Sequence, residues 1–324
     1  MKILIFRNSN FGDYFISIPV LRMLRKRYKN SKITYLTIQN RKKFMLPASI
    51  GNEKIVDNFL LINKNKYKSL RYLKKIIFNL KKKKFDKFIY LQEYSNFFSI
   101  LKHYIFFSLV NIPDINGFKN FFKRKKYSKE TETIQITRRV FKNSSVKKIK
   151  NFSYIKTYKE KKIIKNRYLT IAPGGFALGR LPNEIKINKP VRWKSEKWIK
   201  LCERLILQYK INKIVVTGTK KEEKLAQKLK YKFKNKIINK CGKTSVSEWI
   251  NIIKYSDLHI CQDNGSMHLA TLFKKKNISL FNNHDDYGKW FPLNDNSYII
   301  RLKGGINTIE INDVFIGVKK LLSK

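Results

Sequence analysis

The chain has 324 residues, 43% of them hydrophobic, which is enough apolar material for two cores of ordinary domain size. Its formal net charge is +50, with 72 Lys and Arg against 22 Asp and Glu, yet Lys outnumbers Arg about four to one and is spread along the whole sequence with abundant Asn and Ile. That dispersal fits AT-rich codon usage and argues against a specific nucleic-acid binder, which needs clustered charge with interleaved aromatics.

Lys2–Phe6 reads as a short buried strand, Arg7–Gly12 as a turn, and Asp13–Tyr28 as a helix with apolar residues at Phe15, Ile16, Val20, Leu21 and Leu24. Strands follow at Lys32–Thr37 and Val56–Leu61, a helix at Tyr67–Leu80 and a strand at Lys87–Leu91. Phe97–Ile112 is the most apolar stretch, but Lys102 and His103 interrupt it and it falls short of the about 18 residues of a membrane span. It reads as a buried or half-buried helix; the basic, aromatic run that follows from Phe118 to Tyr127 keeps a membrane-contacting helix open as the second reading.

The alternation of strand and helix predicts a parallel sheet with helices on both faces. It lapses between Thr131 and Tyr158, where a helix at Glu132–Phe141 leads into a polar, lysine-rich connection. A second α/β half then begins: a strand at Tyr168–Ala172, a Gly- and Pro-containing loop at Pro173–Pro190, a helix at Glu196–Tyr209, a strand at Lys213–Thr217 and helices at Lys220–Phe233 and Val246–Tyr255. Thr219 with Glu222 and Ser245 with Glu248 are capping boxes. After a strand at Asp257–Cys261, the turn Asp263-Asn264-Gly265 opens another helix, the kind of junction whose unpaired N–H groups and dipole attract phosphate. A strand at Asn277–Phe281 and a helix at Ile311–Leu322 complete the series.

Cys202, Cys241 and Cys261 are too few and too scattered for a disulfide framework. The chain starts directly on a strand without the regions of a signal peptide, so a cytoplasmic location is expected. His259, Cys261 and His268 lack paired metal-ligand spacing, so no metal site is expected. G-x-x-x-x-G-K-[ST] and G-x-G-x-x-G are absent, which leaves no basis for a P-loop or a dinucleotide site.

The residues Arg7, Gly12-Asp13, Pro19, Leu24 and Tyr28, then Pro173-Gly174-Gly175, Arg192-Trp193 with Trp198, Thr217-Gly218 with Glu222, and Asp263-Asn264-Gly265-Ser266-Met267-His268-Leu269-Ala270 recur in one family. In their order and spacing the chain resembles glycosyltransferase family 9, the bacterial heptosyltransferases of the GT-B fold. The last block is the specific one, since it fills the family's D-[ST]-G-x-x-H-L pattern except that Asn264 replaces Ser or Thr. Two further departures stand at Val191, where heptosyltransferases have lysine, and at Lys194, where they have proline; Arg192 or Lys189 is then the candidate phosphate-binding cation.

The resemblance implies an α/β fold of two Rossmann-like domains with parallel sheets facing a central cleft. Residues 1–160 would bind the acceptor and residues 161–306 the nucleotide sugar, with a C-terminal helix in 307–324 returning toward the first domain. It implies inverting transfer of heptose from ADP-heptose to a lipopolysaccharide core sugar. A family 9 transferase with another donor, or a catalytically idle nucleotide-binding homologue, is the alternative. Asp13 would be the catalytic base, with Arg7 and Gly12 on the acceptor side. Gly174, Gly175, Arg192, Glu222, Asp263, Asn264, Gly265, Ser266 and His268 would hold the donor. Asp13, Glu222 and Asp263 each also read as ordinary helix-start residues, and His268 as packing. No cofactor is required, Mg²⁺ being at most a companion of the diphosphate. The partners would be the nucleotide sugar and an anionic, lipid-linked oligosaccharide, with peripheral contact at the inner face of the cytoplasmic membrane.

Overall fold

A computed structural model gives the arrangement of the chain and describes all residues except 40–46, 48, 51–52, 94–96, 119–129, 142–143, 156–159, 175–191, 284–287 and 323–324. The chain divides into two compact units, Met1–Lys159 and Glu160–Lys324.

In the first unit the elements run β1 (Lys2–Phe6), α1 (Phe11–Arg27), β2 (Lys32–Gln39), β3 (Ser49–Ile50), β4 (Glu53–Lys54), β5 (Asn58–Asn63), α2 (Leu70–Lys82), β6 (Lys87–Tyr90), α3 (Phe97–Ser108), β7 (Asp114–Asn116), α4 (Glu132–Val140) and α5 (Ser144–Lys148). Five strands form a parallel sheet in the order β5-β2-β1-β6-β7, and β3 and β4 make a separate antiparallel pair. The central strand β1 is apolar at consecutive positions because helices cover both faces of the sheet. Its Leu4 and Phe6 join Phe88, Tyr90 and the inner sides of α2 and α3 in one core cluster. α1 begins two residues earlier than the sequence spacing predicts, so Gly12 and Asp13 both belong to its first turn.

The second unit continues with β8 (Leu169–Ala172), α6 (Ser195–Gln208), β9 (Ile214–Val216), a 3₁₀ turn at Lys220–Glu222, α7 (Glu223–Phe233), β10 (Ile237–Asn239), α8 (Val246–Lys254), β11 (His259–Gln262), α9 (Gly265–Leu272), β12 (Asn277–Phe281), β13 (Ser297–Arg301) and α10 (Ile311–Leu322). Its six strands are parallel and ordered β10-β9-β8-β11-β12-β13. Counted within the unit this is 3-2-1-4-5-6, the doubly wound order of dinucleotide-binding folds; the first unit follows the same rule with five strands. Strands β7, β10 and β13, which the sequence reading does not include, are all at sheet edges. The helix expected at the end of the chain is α10, and it buries Val314, Phe315, Val318 and Leu321 in the second unit's own core.

The doubly wound order fixes where ligands go: beyond the carboxyl ends of the strands, at the point where chain order reverses. That point lies between β1 and β6 in the first unit and between β8 and β11 in the second. Among the described residues, the predicted site residues that follow a strand at these points are loop or helix-start residues held by the sheet below them.

Candidate active site

The loop from Arg7 to Asn10 leaves β1 and is fastened on both sides. The Ser9 N–H donates to Thr37 Oγ1 at 3.0 Å, Ser9 Oγ meets Tyr35 Oη at 2.6 Å, and the Asn8 N–H donates to Gln92 Oε1 at 2.7 Å. Gln39 Nε2 donates to the Ser9 carbonyl. Burial raises the Tyr35 phenol to about 12, so it remains a neutral partner. This loop delivers Asp13 on the first turn of α1, where its Oδ2 accepts the Asn10 N–H at 2.9 Å. The side chain is thereby oriented, as a catalytic carboxylate has to be, and at 9% exposure it is held close to the protein surface.

Arg7, expected on the acceptor side, is 1% exposed. Its Nη1 donates to the Leu91 carbonyl at 2.6 Å and to Glu132 Oε1 at 3.3 Å, and Arg139 Nη2 reaches the same carboxylate oxygen at 2.8 Å. Burial disfavours the Arg7 charge, but Glu132 above all, with Asp13, Tyr35 and Glu93, keeps its pKa above the ordinary value. Arg7 therefore cross-braces β1 to the end of β6 beneath the Asp13 loop. Glu132 and Arg139 are not among the predicted site residues; the buried charge of Glu132 has no mark in its local pattern, which looks like a plain helix start.

In the second unit the residues after β8, β9 and β11 converge. Asn264 caps α9: its Oδ1 accepts the Ser266 N–H at 2.9 Å, and its Nδ2 donates to the Gly174 carbonyl at 2.5 Å. These two bonds fix the amide's orientation, since only the oxygen can accept and only the nitrogen can donate. The Ser266 backbone N–H, at the junction expected to attract phosphate, is engaged by this cap. The Ser266 hydroxyl is buried as well, between Asn264 Oδ1 and His259 Nε2, the latter at 2.8 Å.

His259 meets Thr170 Oγ1 through Nδ1 at 2.8 Å, so both ring nitrogens are engaged. Burial lowers its pKa to about 3 and keeps it neutral. With Ser266 donating to Asn264, the imidazole carries its proton on Nε2, and a chain of hydrogen bonds runs from Thr170 in β8 to the Gly174 loop.

Glu222 completes the predicted capping box: Oε2 accepts from the Thr219 N–H at 2.8 Å and from its hydroxyl at 2.7 Å. Its other oxygen faces Gly174 and lies 3.7 Å from Arg192 Nη1. A Cβ on Gly174 would stand 3.0 Å from Glu222 Cδ, so the glycine is what lets this carboxylate approach the loop. Arg192 remains about half exposed. Its neighbour Trp193 is buried, with its backbone N–H on Gln262 Oε1 at 2.8 Å and its indole N–H on the Ile309 carbonyl at 2.8 Å. Gln262, which sequence reasoning misses, thus ties the Arg192 segment to β11 next to Asp263; a polar residue inside a buried strand was the available signal.

Asp263, Asn264 and Gly265 are partly exposed and His268 is buried on the first turn of α9. Gly174, Glu222, Asn264 and Arg192 are brought together; Gly175, Lys189 and Val191 lie outside the described residues. Among the described residues a cavity of about 470 Å³ in the first unit is lined by Arg22, Arg25, Lys26, Lys29, Glu53 and Phe152. It sits at the opposite end of α1 from Asp13, where basic side chains complement the helix C-terminus and pair with Glu53 and Asp57.

The model of glycosyltransferase family 9 (heptosyltransferase) matches residues 74–313. The chain belongs to this family. It is a glycosyltransferase of the GT-B class. It is 23% identical over 287 residues to lipooligosaccharide heptosyltransferase 2 of Campylobacter jejuni subsp. jejuni serotype O:6, covering 87% of this chain and 81% of that protein. Its fold is similar to that of the ADP-heptose lps heptosyltransferase II of E. coli, with a TM-score of 0.69, 16% identity and coverage of 100% and 99% of the two chains. A family 9 glycosyl transferase from Veillonella parvula gives a TM-score of 0.72 at 15% identity, over 99% and 97% of the chains. The E. coli heptosyltransferase WaaC with ADP gives 0.69 at 14% identity, over 99% and 100%.

The loop before Asp13 is polar and braced from below. The Gly174, Glu222, Asn264 and Arg192 group combines a close backbone approach, a carboxylate and a cation, the combination that suits a nucleoside diphosphate.

Proposed function

We propose that this family 9 transferase moves a heptose from ADP-heptose to a sugar of a lipid-linked lipopolysaccharide core acceptor, with inversion at the anomeric carbon. The observation that carries the reading is the Asn264–Gly174–Glu222 group at the β8/β11 switch point of a family 9 chain. The donor and acceptor classes follow those of its relatives, an ADP-heptose heptosyltransferase and a lipooligosaccharide heptosyltransferase.

In this reading the Asp13 carboxylate takes the proton of the acceptor hydroxyl as its oxygen forms a bond to the anomeric carbon. The bond from that carbon to the diphosphate breaks at the same time and ADP departs. Arg192 and the backbone around Gly174 and Gly265 meet the charge that develops on the leaving diphosphate, and donors already fixed in place lower the barrier without reorganising. Glu222 accepts from the nucleotide ribose through Oε1, and Asp263 from hydroxyls of the donor sugar. In this reading these protein groups supply the chemistry, with no resident cofactor.

The test is the melting temperature of the purified protein with ADP, UDP, GDP or CDP at equal concentration, since a ligand that binds only the folded state raises it. Selective stabilisation by ADP, weakened in Arg192→Ala, is expected. A preference for another nucleotide keeps the transferase and removes the heptose donor, and no response to any nucleotide removes the donor site.

A further inference from the structure

The helix α3 is apolar around most of its circumference, although it sits at the surface. Ile100, His103 and Phe107 face inward: Phe107 stacks on Phe88 with ring centroids 4.2 Å apart, and His103 Nδ1 meets Tyr90 Oη at 2.8 Å. This inner side is enough to dock the helix on the sheet. Outward stand Phe97, Phe98, Tyr104 and Ile105, and Leu109 just beyond the helix end, with Phe98 78% and Ile105 52% exposed. At about 100° per residue these five occupy one arc of roughly 140°. A surface helix normally places polar residues there.

The neighbouring helix α2 packs on the same side of the sheet, its Ile76, Ile77 and Leu80 sharing a core cluster with Phe106 and Phe107. It carries Lys74, Lys75, Lys81 and Lys82, all exposed, and no acidic residue. Leu70 and Phe78 of α2 are exposed as well, and Lys102 of α3 lies over the Tyr67 ring at 5.0 Å. Exposed aromatic and aliphatic groups beside uncompensated lysines form the pattern of a helix that lies in a membrane interface. With 12 residues α3 is about 18 Å long, too short for a hydrocarbon core of about 30 Å, and among the described residues no helix is long and apolar enough to cross a membrane.

We infer that the outer face of α3, flanked by the cations of α2, docks the first unit on an anionic lipid bilayer. The charge selects this occupant. A second copy of the chain would bring another +50 against the same lysines, whereas anionic headgroups meet them with opposite charge as the apolar arc enters the acyl boundary. The proposal names the surface through which a lipid-linked acceptor is met, but it stands on exposure and charge, and its test uses neither donor nor acceptor. A failure here therefore leaves the transferase reading untouched.

The experiment is co-sedimentation of the full chain with phosphatidylcholine vesicles, alone or mixed with phosphatidylglycerol, for the unaltered protein, the double variant Phe98→Glu/Ile105→Glu, the milder Ile105→Ser, and Tyr231→Glu as a control at an exposed aromatic of the second unit. Circular dichroism and melting confirm that each variant is folded. Binding to the mixed vesicles is expected to fall about tenfold or more in the double variant, partly in Ile105→Ser, and not at all in Tyr231→Glu. The proposal is overturned if the unaltered chain stays in the supernatant with mixed vesicles, or if the double variant sediments like the unaltered chain. It is equally overturned if sedimentation velocity finds a dimer that the double variant dissolves, which would give the face to a second copy.

Discussion

Asn264 Nδ2 donates to the Gly174 carbonyl across the switch point between β8 and β11, while Asn264 Oδ1 caps α9. The family pattern has Ser or Thr at this position, and neither side chain offers both an acceptor for the cap and an amide donor for the neighbouring loop. In this chain one asparagine sets the helix start and the glycine loop in a single geometry.

Replacing Asn264 by Ser separates the two roles. Serine caps a helix about as well, so stability should fall by only the about 1 kcal/mol of one neutral hydrogen bond. The lost tie to Gly174 should weaken ADP binding by about fivefold to tenfold, read by calorimetry. An unchanged ADP affinity would remove Asn264 from the positioning of the loop.

The two-unit fold was legible because inner strands of its sheets are apolar runs buried on both faces, as in Ile3–Phe6 and Ile214–Val216. β7, β10 and β13 escaped because an edge strand is paired and covered on one side only: Asp114-Ile115-Asn116 shows a single half-buried residue, which no periodicity can reveal. The cluster of Gly174, Glu222, Asn264 and Arg192 was legible from short motifs, each next to its strand. Arg7 reads differently in sequence and structure because its partners Leu91 and Glu132 are 84 and 125 residues away, and local pattern carries no information about contacts of that kind. Ser266 differs for a nearer reason: it stands two positions after the cap residue of α9, whose side chain takes its N–H.

Glu222 serves the Thr219 cap through Oε2 and faces Gly174 and Arg192 through Oε1. Glutamine preserves a capping box, so Glu222→Gln should change stability by less than about 1 kcal/mol while removing the charge beside Arg192. ADP affinity is expected to drop several-fold in Glu222→Gln, and Glu222→Ala to lose stability as well. Equal ADP affinity in Glu222→Gln and the unaltered protein would leave Glu222 with the cap alone.

Glu132 is fully buried between Arg7 and Arg139. Removing it by Glu132→Ala leaves two guanidinium groups without their counter-charge, and a broken buried pair costs about 3–5 kcal/mol. Denaturant unfolding should place the loss in that range, and Arg7→Met/Glu132→Leu should recover part of it because no unpaired member of that pair remains. A loss below about 1 kcal/mol would mean that the Arg7 brace is not what secures the Asp13 loop.

Asp13→Asn tests the base directly. The amide oxygen can still accept the Asn10 N–H, so α1 should keep its start and lose only the favourable first-turn charge, about 0.3–1 kcal/mol. Transfer should slow by about 100-fold or more, since the proton of the acceptor hydroxyl has no carboxylate to receive it. ADP affinity should be unchanged, because the predicted nucleotide contacts are all in the second unit. A variant that turns over normally would transfer the role of base to another group.

Acid should weaken the fold through His259. Its folded pKa is about 3, below the ordinary value of 6.5. Between these limits the unfolded chain binds a proton that the folded one refuses. The stability contribution is therefore complete above about pH 6.5 and is lost as pH falls toward 3, at up to about 1.4 kcal/mol per pH unit. His103, lowered to about 4 by burial and then by Lys102, adds to the same slope in the first unit. His259→Gln should be less stable at neutral pH, since it disturbs the bonds to Thr170 and Ser266, but its stability should decline less steeply between pH 6.5 and 4. Denaturant titrations at several pH values measure that slope, and a variant with the full slope would show that His259 is protonated in the folded protein and does not serve as the neutral link between β8 and the start of α9.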